Sequence, residues 1–331
     1  MFRKINNKTL LIIFAILAIV AVIVYFYDQK KGERTFKDEL FKVDSSAVTS
    51  ITIYPKGKGN EFLKLNKTGN SWEIQVQKKK YPADSSVIQS ILQALAHITP
   101  ERVAGTDRTS WKEYEITDSL STHVVVEQGN EVTADFRTGK VSFSQNRNRQ
   151  NYGNYGMDVK SHIRVAGDDR VYVVDGFLSM MFADDPSRYR NRMVVKLDKK
   201  NLTKLSFIYP GDSSFMLLKE GSRWFLNDQP ADSALTEQWL NSFAFLTNGD
   251  FADEETQPFT FPFNLRIEGN NMNLIDVKGA KDTTAKKYFV KSTFNPSAVF
   301  GGPSAILFNQ VFPGKNKFEG SQKKGKKSSA K

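Results

Sequence analysis

The hydrophobic pattern of the chain begins with one long apolar run and then changes to short segments in which apolar and polar residues alternate. The run covers residues 10–27, LLIIFAILAIVAVIVYFY, and contains no charged residue. As an α-helix it would extend about 27 Å, close to the thickness of the hydrocarbon core of a bilayer. Its aromatic end, with no small-residue cleavage site after it, favours a transmembrane anchor over a cleaved signal peptide.

The alternating segments of the body occur in two copies. KVDSSAVTSITIYP at 42–55 is repeated as KLDKKNLTKLSFIYP at 196–210, with apolar residues at matching positions. Their alternation with polar residues predicts a β-strand with one buried face. In each copy two further strands joined by a tight turn are predicted to follow, with Trp72 and Trp224 at matching places just after the turn.

A PADS motif then predicts a helix in each copy. Asp84 and Asp232 each follow a proline by two residues and precede an apolar stripe of three- and four-residue spacing. An aspartate at this place accepts hydrogen bonds from the N–H groups of the first turn, so both residues are predicted to be structural helix caps. The stripes at 87–98 and 235–246 predict amphipathic helices that lie across a sheet face.

Further strands and a short helix are predicted to complete each copy. The resulting fold class is α+β: an N-terminal transmembrane helix followed by two tandem copies of a mainly antiparallel β-β-β-α-β-β-β-α-like unit. The predicted divisions of the chain are a short basic N-terminus (1–9), the transmembrane anchor (10–27), a charged linker (28–37), a first repeat domain (38–190), a second repeat domain (191–314) and a disordered Lys-rich tail (315–331).

The formal net charge of +11 belongs to the two ends of the chain. Residues 1–37 carry seven Lys and Arg against two acidic residues, and residues 315–331 carry seven Lys against one, which leaves residues 38–314 neutral. A groove for nucleic acid needs its basic charge on the folded surface, so we predict no nucleic-acid partner. Cysteine is absent from the sequence, which excludes disulfides and thiolate metal ligands.

One loop of the first copy, residues 144–164, differs in composition from the rest of the body. Its first part contains mainly Gln, Asn, Arg, Tyr and Gly, which have little to bury. Arg147, Arg149, Tyr152 and Tyr155 are candidate contacts for a glycan, a peptide or a partner surface, because Arg and Tyr are frequent in such contacts. The alternative interpretation is a mobile hairpin tip on the surface.

The histidines and acidic residues of the sequence, which are common in catalytic and metal sites, do not have the spacing of such sites here. The three histidines, His97, His123 and His162, are isolated from one another in the sequence, and the acidic clusters lie beside Gly or Pro in turn-like contexts. The sequence contains no phosphate-binding glycine motif and no nucleophile elbow. We therefore predict no catalytic residue, no metal and no cofactor, and the sequence leaves a small-molecule ligand undetermined.

A set of motifs resembles a known bacterial family, the domain of unknown function 4340. The motifs are V-x-x-I-x-I, a Trp after a tight turn, P-A-D before a helix and an Arg-Val pair, at Val48/Ile51/Ile53, Trp72, Pro82/Ala83/Asp84 and Arg102/Val103. Where members often have Tyr-Gly-Leu, this chain has Tyr114-Glu115-Ile116. The resemblance implies a membrane-anchored, extracytoplasmic protein found alongside ABC-transporter components of the gliding-motility type.

The functional expectation is a non-enzymatic accessory protein. It would be anchored in the cytoplasmic membrane by one span, with its body on the periplasmic side, and would bind protein partners, among them ABC transporter subunits. Two alternatives stay open. One is an anchored envelope enzyme, such as a carboxylate-dependent glycan hydrolase, and the other is a receptor with a ligand cleft between the two copies.

Overall fold

Turn residues and alternating apolar positions give this chain a succession of short strands. The computed structural model describes residues 17–20, 39–59, 61–145, 157–253 and 260–320. The strands in chain order are β1 (Ser50–Tyr54), β2 (Leu63–Thr68), β3 (Ser71–Val76), β4 (Lys79–Pro82), β5 (Pro100–Gly105), β6 (Thr122–Gln128), β7 (Glu131–Gln145), β8 (Met157–Val165), β9 (Val171–Asp175), β10 (Met193–Lys196), β11 (Leu202–Ile208), β12 (Phe215–Glu220), β13 (Arg223–Leu226), β14 (Gln229–Pro230), β15 (Phe245–Thr247), β16 (Phe263–Gly269), β17 (Ile275–Asp282), β18 (Lys287–Ser292) and β19 (Asn295–Gly302).

Short helices lie between these strands. The α-helices are α1 (Ser85–Ala96), α2 (Leu178–Met181), α3 (Ser233–Phe243) and α4 (Ile306–Val311), and the 3₁₀ helices are η1 (Arg108–Trp111), η2 (Pro186–Arg188) and η3 (Lys315–Lys317). The chain divides into two compact units. Unit 1 comprises Met1–Phe62 and Ser90–Asp184, and unit 2 comprises Leu63–Gln89 and Asp185–Lys331.

In unit 1, antiparallel strands follow the order β1-β6-β7-β8-β9-β5. Their register places Ile53 opposite Val124, and Val124 opposite Phe136. All three are fully buried. Because successive side chains of a strand point to opposite faces, this row fixes one face of the strands as the core side and leaves the alternate residues on the other face.

In unit 2, an eight-stranded antiparallel sheet has the order β14-β13-β12-β11-β16-β17-β18-β19, and β10 pairs with β15. Strands β2, β3 and β4 form an antiparallel meander in the same unit. An aromatic cluster fills the core of the larger sheet: the rings of Phe207 and Phe215 stack at 4.4 Å, and those of Trp239 and Phe243 at 4.5 Å. Aromatic side chains of this size contribute much of the buried apolar area of a domain.

The same succession of elements occurs twice along the chain. Strand β1 pairs with β6, and the ladder continues through β7, β8 and β9; strand β11 pairs with β16 and continues through β17, β18 and β19. The meander β2–β4 precedes α1 as β12–β14 precedes α3. The repeated phrases at 42–55 and 196–210 thus lead into strands at corresponding places, β1 and β11.

The predicted fold class, α+β with an N-terminal transmembrane helix, is wrong. The described residues form mainly antiparallel sheets, because most strands pair with a neighbour in the chain through a short turn, while each copy supplies only one helix longer than six residues. The longest described α-helix, α1, has 12 residues, about 18 Å against the ~30 Å of a hydrocarbon core. Among the described residues no helix has the length and apolarity to cross a membrane. Of the predicted anchor at 10–27, only residues 17–20 are described, and they are helical.

Candidate functional site

Two glycines allow a loop of unit 1 to approach the face of the strands opposite to the core. A Cβ on Gly139 of β7 would lie 2.4 Å from the carbonyl oxygen of Glu115 and 2.5 Å from that of Tyr114. A Cβ on Gly105 would lie 2.1 Å from Oγ of Ser110. Only a residue without a side chain admits such approaches. The covering segment, residues 106–121, is held there by a hydrogen bond from Lys140 N–H to the Tyr114 carbonyl at 2.9 Å.

Beneath this segment, three basic side chains follow one another across the strands. His123 of β6 lies opposite Arg137 of β7, and Arg137 lies opposite Arg164 of β8. Directly opposed residues of an antiparallel pair lie within about 5.5 Å, so two like charges at such positions destabilise the sheet unless they are compensated. His123 has its own partner, since its Nε2 is 2.7 Å from Oδ1 of Asp135.

The two arginines share one carboxylate oxygen. Nε of Arg137 lies 2.9 Å from Oδ1 of Asp118, and Nη2 of Arg164 donates to the same oxygen at 3.0 Å. The side chain of Asp118 is 77% exposed, whereas those of Arg137 and Arg164 are 24% and 11% exposed. The cations are therefore built into the sheet surface, and the anion reaches them from the solvent side.

Trp111 supports this arginine pair from the end of η1. The guanidinium carbon of Arg164 lies 3.7 Å from the centroid of the Trp111 ring, and that of Arg108 lies 5.4 Å from it. The indole Nε1 donates to the carbonyl oxygen of Asp169 at 2.8 Å, and Nε of Arg108 donates to Oδ1 of the same residue at 3.0 Å. These contacts hold the guanidinium of Arg164 over the Trp111 ring, an arrangement that reduces the freedom of Arg164.

We call this group the arginine–tryptophan platform, defined by Arg108, Trp111, Asp118, Arg137, Arg164 and Asp169. It contains three guanidinium groups and two carboxylates. Burial, and then the nearby charge of Arg137, lower the pKa of Arg164. Nε of Arg164 is buried without a hydrogen-bond acceptor among the described residues. The platform therefore has an excess of positive charge and of N–H donors over the acceptors present.

The direction of η1 is set by a cap in the sequence just before it. Oδ1 of Asp107 accepts a hydrogen bond from Thr109 N–H at 2.9 Å and another from its hydroxyl at 2.5 Å. These hydrogen bonds lower the pKa of Asp107. The cap holds the first turn of η1 and thereby places Arg108 and Trp111 on the platform.

The candidate contact residues predicted from the sequence, Arg147, Arg149, Tyr152 and Tyr155, lie outside the described residues. The two predicted helix caps are described. Oδ1 of Asp84 accepts from Ser86 N–H at 3.0 Å, and Oδ1 of Asp232 accepts from the N–H groups of Ala234 and Leu235 at 3.0 Å.

Sequence reasoning identified no member of the platform as a site residue; it took Arg164 as the last residue of the loop 144–164, whereas Arg164 lies on strand β8. Arg137 and Arg164 are 27 positions apart, and their opposition depends on the register of β7 and β8, which shifts between Thr138 and Val141. The available signal was alternation: each arginine has apolar or small residues at neighbouring positions that face the core. That signal marks an outward-facing residue and does not say which outward-facing residue is its neighbour.

Other charged groups of unit 1 form structural pairs. Oδ2 of Asp168 accepts from the Tyr172 hydroxyl and from Nη2 of Arg170, both at 2.7 Å. Arg170 and the Tyr172 hydroxyl hold the pKa of Asp168 well below its usual range, while burial raises the pKa of Tyr172 to about 12. Across the described ranges, no group of three His, Asp or Glu side chains could hold a metal ion.

Unit 2 contains a shallow cavity of about 500 Å³. Its lining is mostly apolar and includes Leu197, Met272, Leu274 and Phe294. Asp198, at its edge, caps its own turn by accepting from Lys200 N–H at 3.0 Å. The charged residues of its lining are Lys196 and Asp198, two positions apart in the chain.

Comparison with known families identifies the family of the chain. The family model described as domain of unknown function (DUF4340) matches residues 72–261, more than half of the chain. The chain belongs to the DUF4340 family. The matched region contains all six residues of the platform, so this site lies within the DUF4340 part of the chain. No curated protein and no solved structure matches the chain.

Proposed function

We propose that this DUF4340 protein is a non-enzymatic binding protein that engages a protein partner through the arginine–tryptophan platform. The observation that carries the proposal is the pair Arg137–Arg164. These two largely buried cations lie side by side and share one oxygen of the exposed Asp118 carboxylate. Arg and Trp are the residue types that most often dominate the energy of protein interfaces. Fixed by Trp111, Arg164 would lose little freedom on binding.

The chemistry of the platform favours binding over catalysis. A guanidinium keeps its proton at any physiological pH, so it recognises an anion but does not act as an acid or a base near neutrality. The carboxylates Asp118 and Asp169 are each within 3.0 Å of an arginine nitrogen. Both carboxylates thus serve as hydrogen-bond and charge partners of the arginines.

The resemblance adds a setting to this proposal. It suggests that the partner is a component of an ABC-type transport or gliding-related complex, and that the body of the protein functions outside the cytoplasm. Both statements are proposals by analogy with the family. The family suggests which partner is bound and where, whereas the platform suggests through which residues it is bound.

Site-specific photo-crosslinking in the cells that make the protein tests the proposal. A photoreactive residue replaces Lys112, which is exposed and follows Trp111 directly, or Lys278, an exposed residue of β17 in unit 2. We expect a discrete adduct with one protein from position 112 that position 278 does not give. The yield of the adduct should fall at least fivefold in R137Q and stay unchanged in R266Q, a matched control at an exposed arginine that pairs with Asp276 at 3.3 Å. An adduct of undiminished yield in folded R137Q would overturn the proposal.

A further inference from the structure

We infer that the partner presents an acidic segment, and that one of its carboxylates takes the place of Asp118 between Arg137 and Arg164. This inference rests on the proposed function and names the chemistry of its partner. It follows from the geometry of Asp118, from the charge of the platform and from the net charge of the body of the protein.

The geometry of Asp118 shows which member of the cluster can be exchanged. Arg137 and Arg164 stand on strands, directly opposite each other, and Arg164 is stacked on Trp111. Asp118 instead belongs to a turn between η1 and β6 and is 77% exposed. Both arginines contact it through Oδ1, so a second carboxylate can approach the same nitrogens once this exposed side chain rotates away. Arginine matches carboxylate geometry with two N–H groups, which makes a carboxylate the natural competitor.

The small net charge of the platform favours a partner that offers only a few negative charges. Three arginines against Asp118 and Asp169 leave one positive charge, and release of Asp118 leaves two. Residues 38–314 carry no net charge, so the body as a whole has no excess of basic groups to add to the platform. Nucleic acids and anionic membranes bind through many basic groups at once. A short acidic peptide needs only a few, and the Trp111 ring provides an apolar surface for its remaining atoms.

Asp118 is therefore a competitor of the partner within the chain. Its replacement by Asn removes the negative charge and keeps the size of the side chain. Exposed ion pairs are weak, so the gain on its removal should be small: about two- to fivefold tighter binding of an acidic peptide. A purely structural role for Asp118 predicts the opposite, since D118N would then loosen the arginines and weaken binding.

The test uses the full chain and a fluorescently labelled dodecapeptide of Asp, Glu and Leu, with its Asn and Gln counterpart as the uncharged control. Fluorescence anisotropy gives the dissociation constants for the wild type, D118N, R137Q, R108Q and R266Q. We expect binding of the acidic peptide only, with D118N about two- to fivefold tighter, R137Q at least tenfold weaker and R266Q unchanged. Arg108 is 73% exposed, so R108Q should fold normally and bind more weakly even if R137Q does not fold.

The inference would be overturned by equal or weaker binding by D118N, by equal binding of the uncharged peptide, or by displacement of the peptide by single-stranded DNA at the same concentration of charge. Inorganic phosphate serves as a further competitor, and displacement by phosphate at a concentration similar to that of the peptide would also contradict a carboxylate-specific site. The proposed function is judged separately. An arginine-dependent adduct at position 112 without acidic-peptide binding would refute the inference and leave the proposed function standing, and loss of both would refute both.

Discussion

Arg137 and Arg164 lie directly opposite each other on adjacent antiparallel strands and contact the same oxygen of Asp118, at 2.9 and 3.0 Å. Two like charges so placed lower the stability of the sheet, and a single exposed carboxylate compensates them only in part. Departures from the rules of stable folding are expected where a protein binds or reacts. The proposed function starts from this relationship.

Replacement of Arg190 should destabilise unit 2 strongly. Its guanidinium lies between the rings of Tyr81 and Phe251, at 3.8 and 3.6 Å, and pairs with Asp253, which is 14% exposed. R190A leaves the Asp253 carboxylate buried without its cation, so we expect a loss of about 3–5 kcal/mol in the free energy of unfolding. Urea denaturation followed by circular dichroism measures it.

A second variant separates the lost charge pair from the lost packing around Arg190. R190M/D253N keeps an oxygen for the Val299 N–H, which donates to Asp253, and removes both charges. It should recover a large part of the loss. R266Q, at an exposed pair, should cost no more than about 1 kcal/mol. A loss in R190A no greater than that in R266Q would show that the buried pair does not hold unit 2 together.

G139A should disturb the covering segment of unit 1. The new methyl group would lie 2.4 Å from a backbone oxygen that belongs to that segment, and backbone gives way less easily than a side chain. We expect a loss of about 1–3 kcal/mol in the free energy of unfolding, together with weaker binding at the platform. G249A is the control, because its nearest neighbour, Cδ of Arg192, would be 3.8 Å away. Equal stability of the two variants would contradict the close approach.

D232A should lower stability by about 1 kcal/mol. Oδ1 of Asp232 accepts from two N–H groups at the start of α3, and alanine leaves both without that acceptor. D84A should have a similar effect at α1, where Oδ1 of Asp84 accepts from Ser86 N–H. D212A, at an exposed aspartate, should change stability by less than about 0.5 kcal/mol in the same urea titration. If all three variants were equally stable, the caps would have no measurable role.

The stability of the protein should fall as the pH is lowered through the range in which His162 titrates. Burial lowers the pKa of His162 from its ordinary value of 6.5, and the charges of Arg102 and Lys140 act in the same direction, against Glu113 and a hydrogen bond to the Lys140 carbonyl. Below pH 6.5 the unfolded chain therefore binds a proton that the folded chain does not. Stability is fully present above this value and is lost as the pH falls towards the folded pKa.

Unfolding free energies at pH 7.5, 6.5 and 5.5 measure this effect. The wild type should lose up to about 1 kcal/mol more than H162Q between the two ends of the range. H97Q, at an exposed histidine, is the control for the substitution itself and should change the unfolding free energy at pH 7.5 by less than about 0.5 kcal/mol. Identical slopes for the wild type and H162Q would contradict the depressed pKa of His162.

The sequence could predict much of the local structure and little of the site. Alternation identified strands β1 and β11, in which the apolar residues Ile51, Ile53, Leu205 and Phe207 are fully buried. The PADS motifs marked the starts of α1 and α3, because a capping aspartate acts within one turn of the chain. Such signals are local, and the structure has the strands and the helix starts at the predicted residues.

The predicted balance of helix and strand failed for a related reason. A turn such as that at Gly129 predicts that another strand follows, but it does not predict how many strands a sheet contains. The transmembrane prediction for residues 10–27 rested only on the length and the apolar composition of the run. The platform depends on non-local register: Arg164 meets Trp111, 53 positions earlier, only because Gly105 and Gly139 admit the covering segment. The sequence near Trp111 contains no pattern that predicts its contact with Arg164.

The yield of the Lys112 photo-crosslink in R137Q, relative to that in the wild type and in R266Q, tests the central claim most directly. It measures partner contact next to Trp111 and its dependence on one arginine of the platform, in the cells that make the protein. Binding through the platform predicts one discrete adduct whose yield falls at least fivefold in folded R137Q and stays unchanged in R266Q. An adduct of equal yield in all three proteins would contradict the claim.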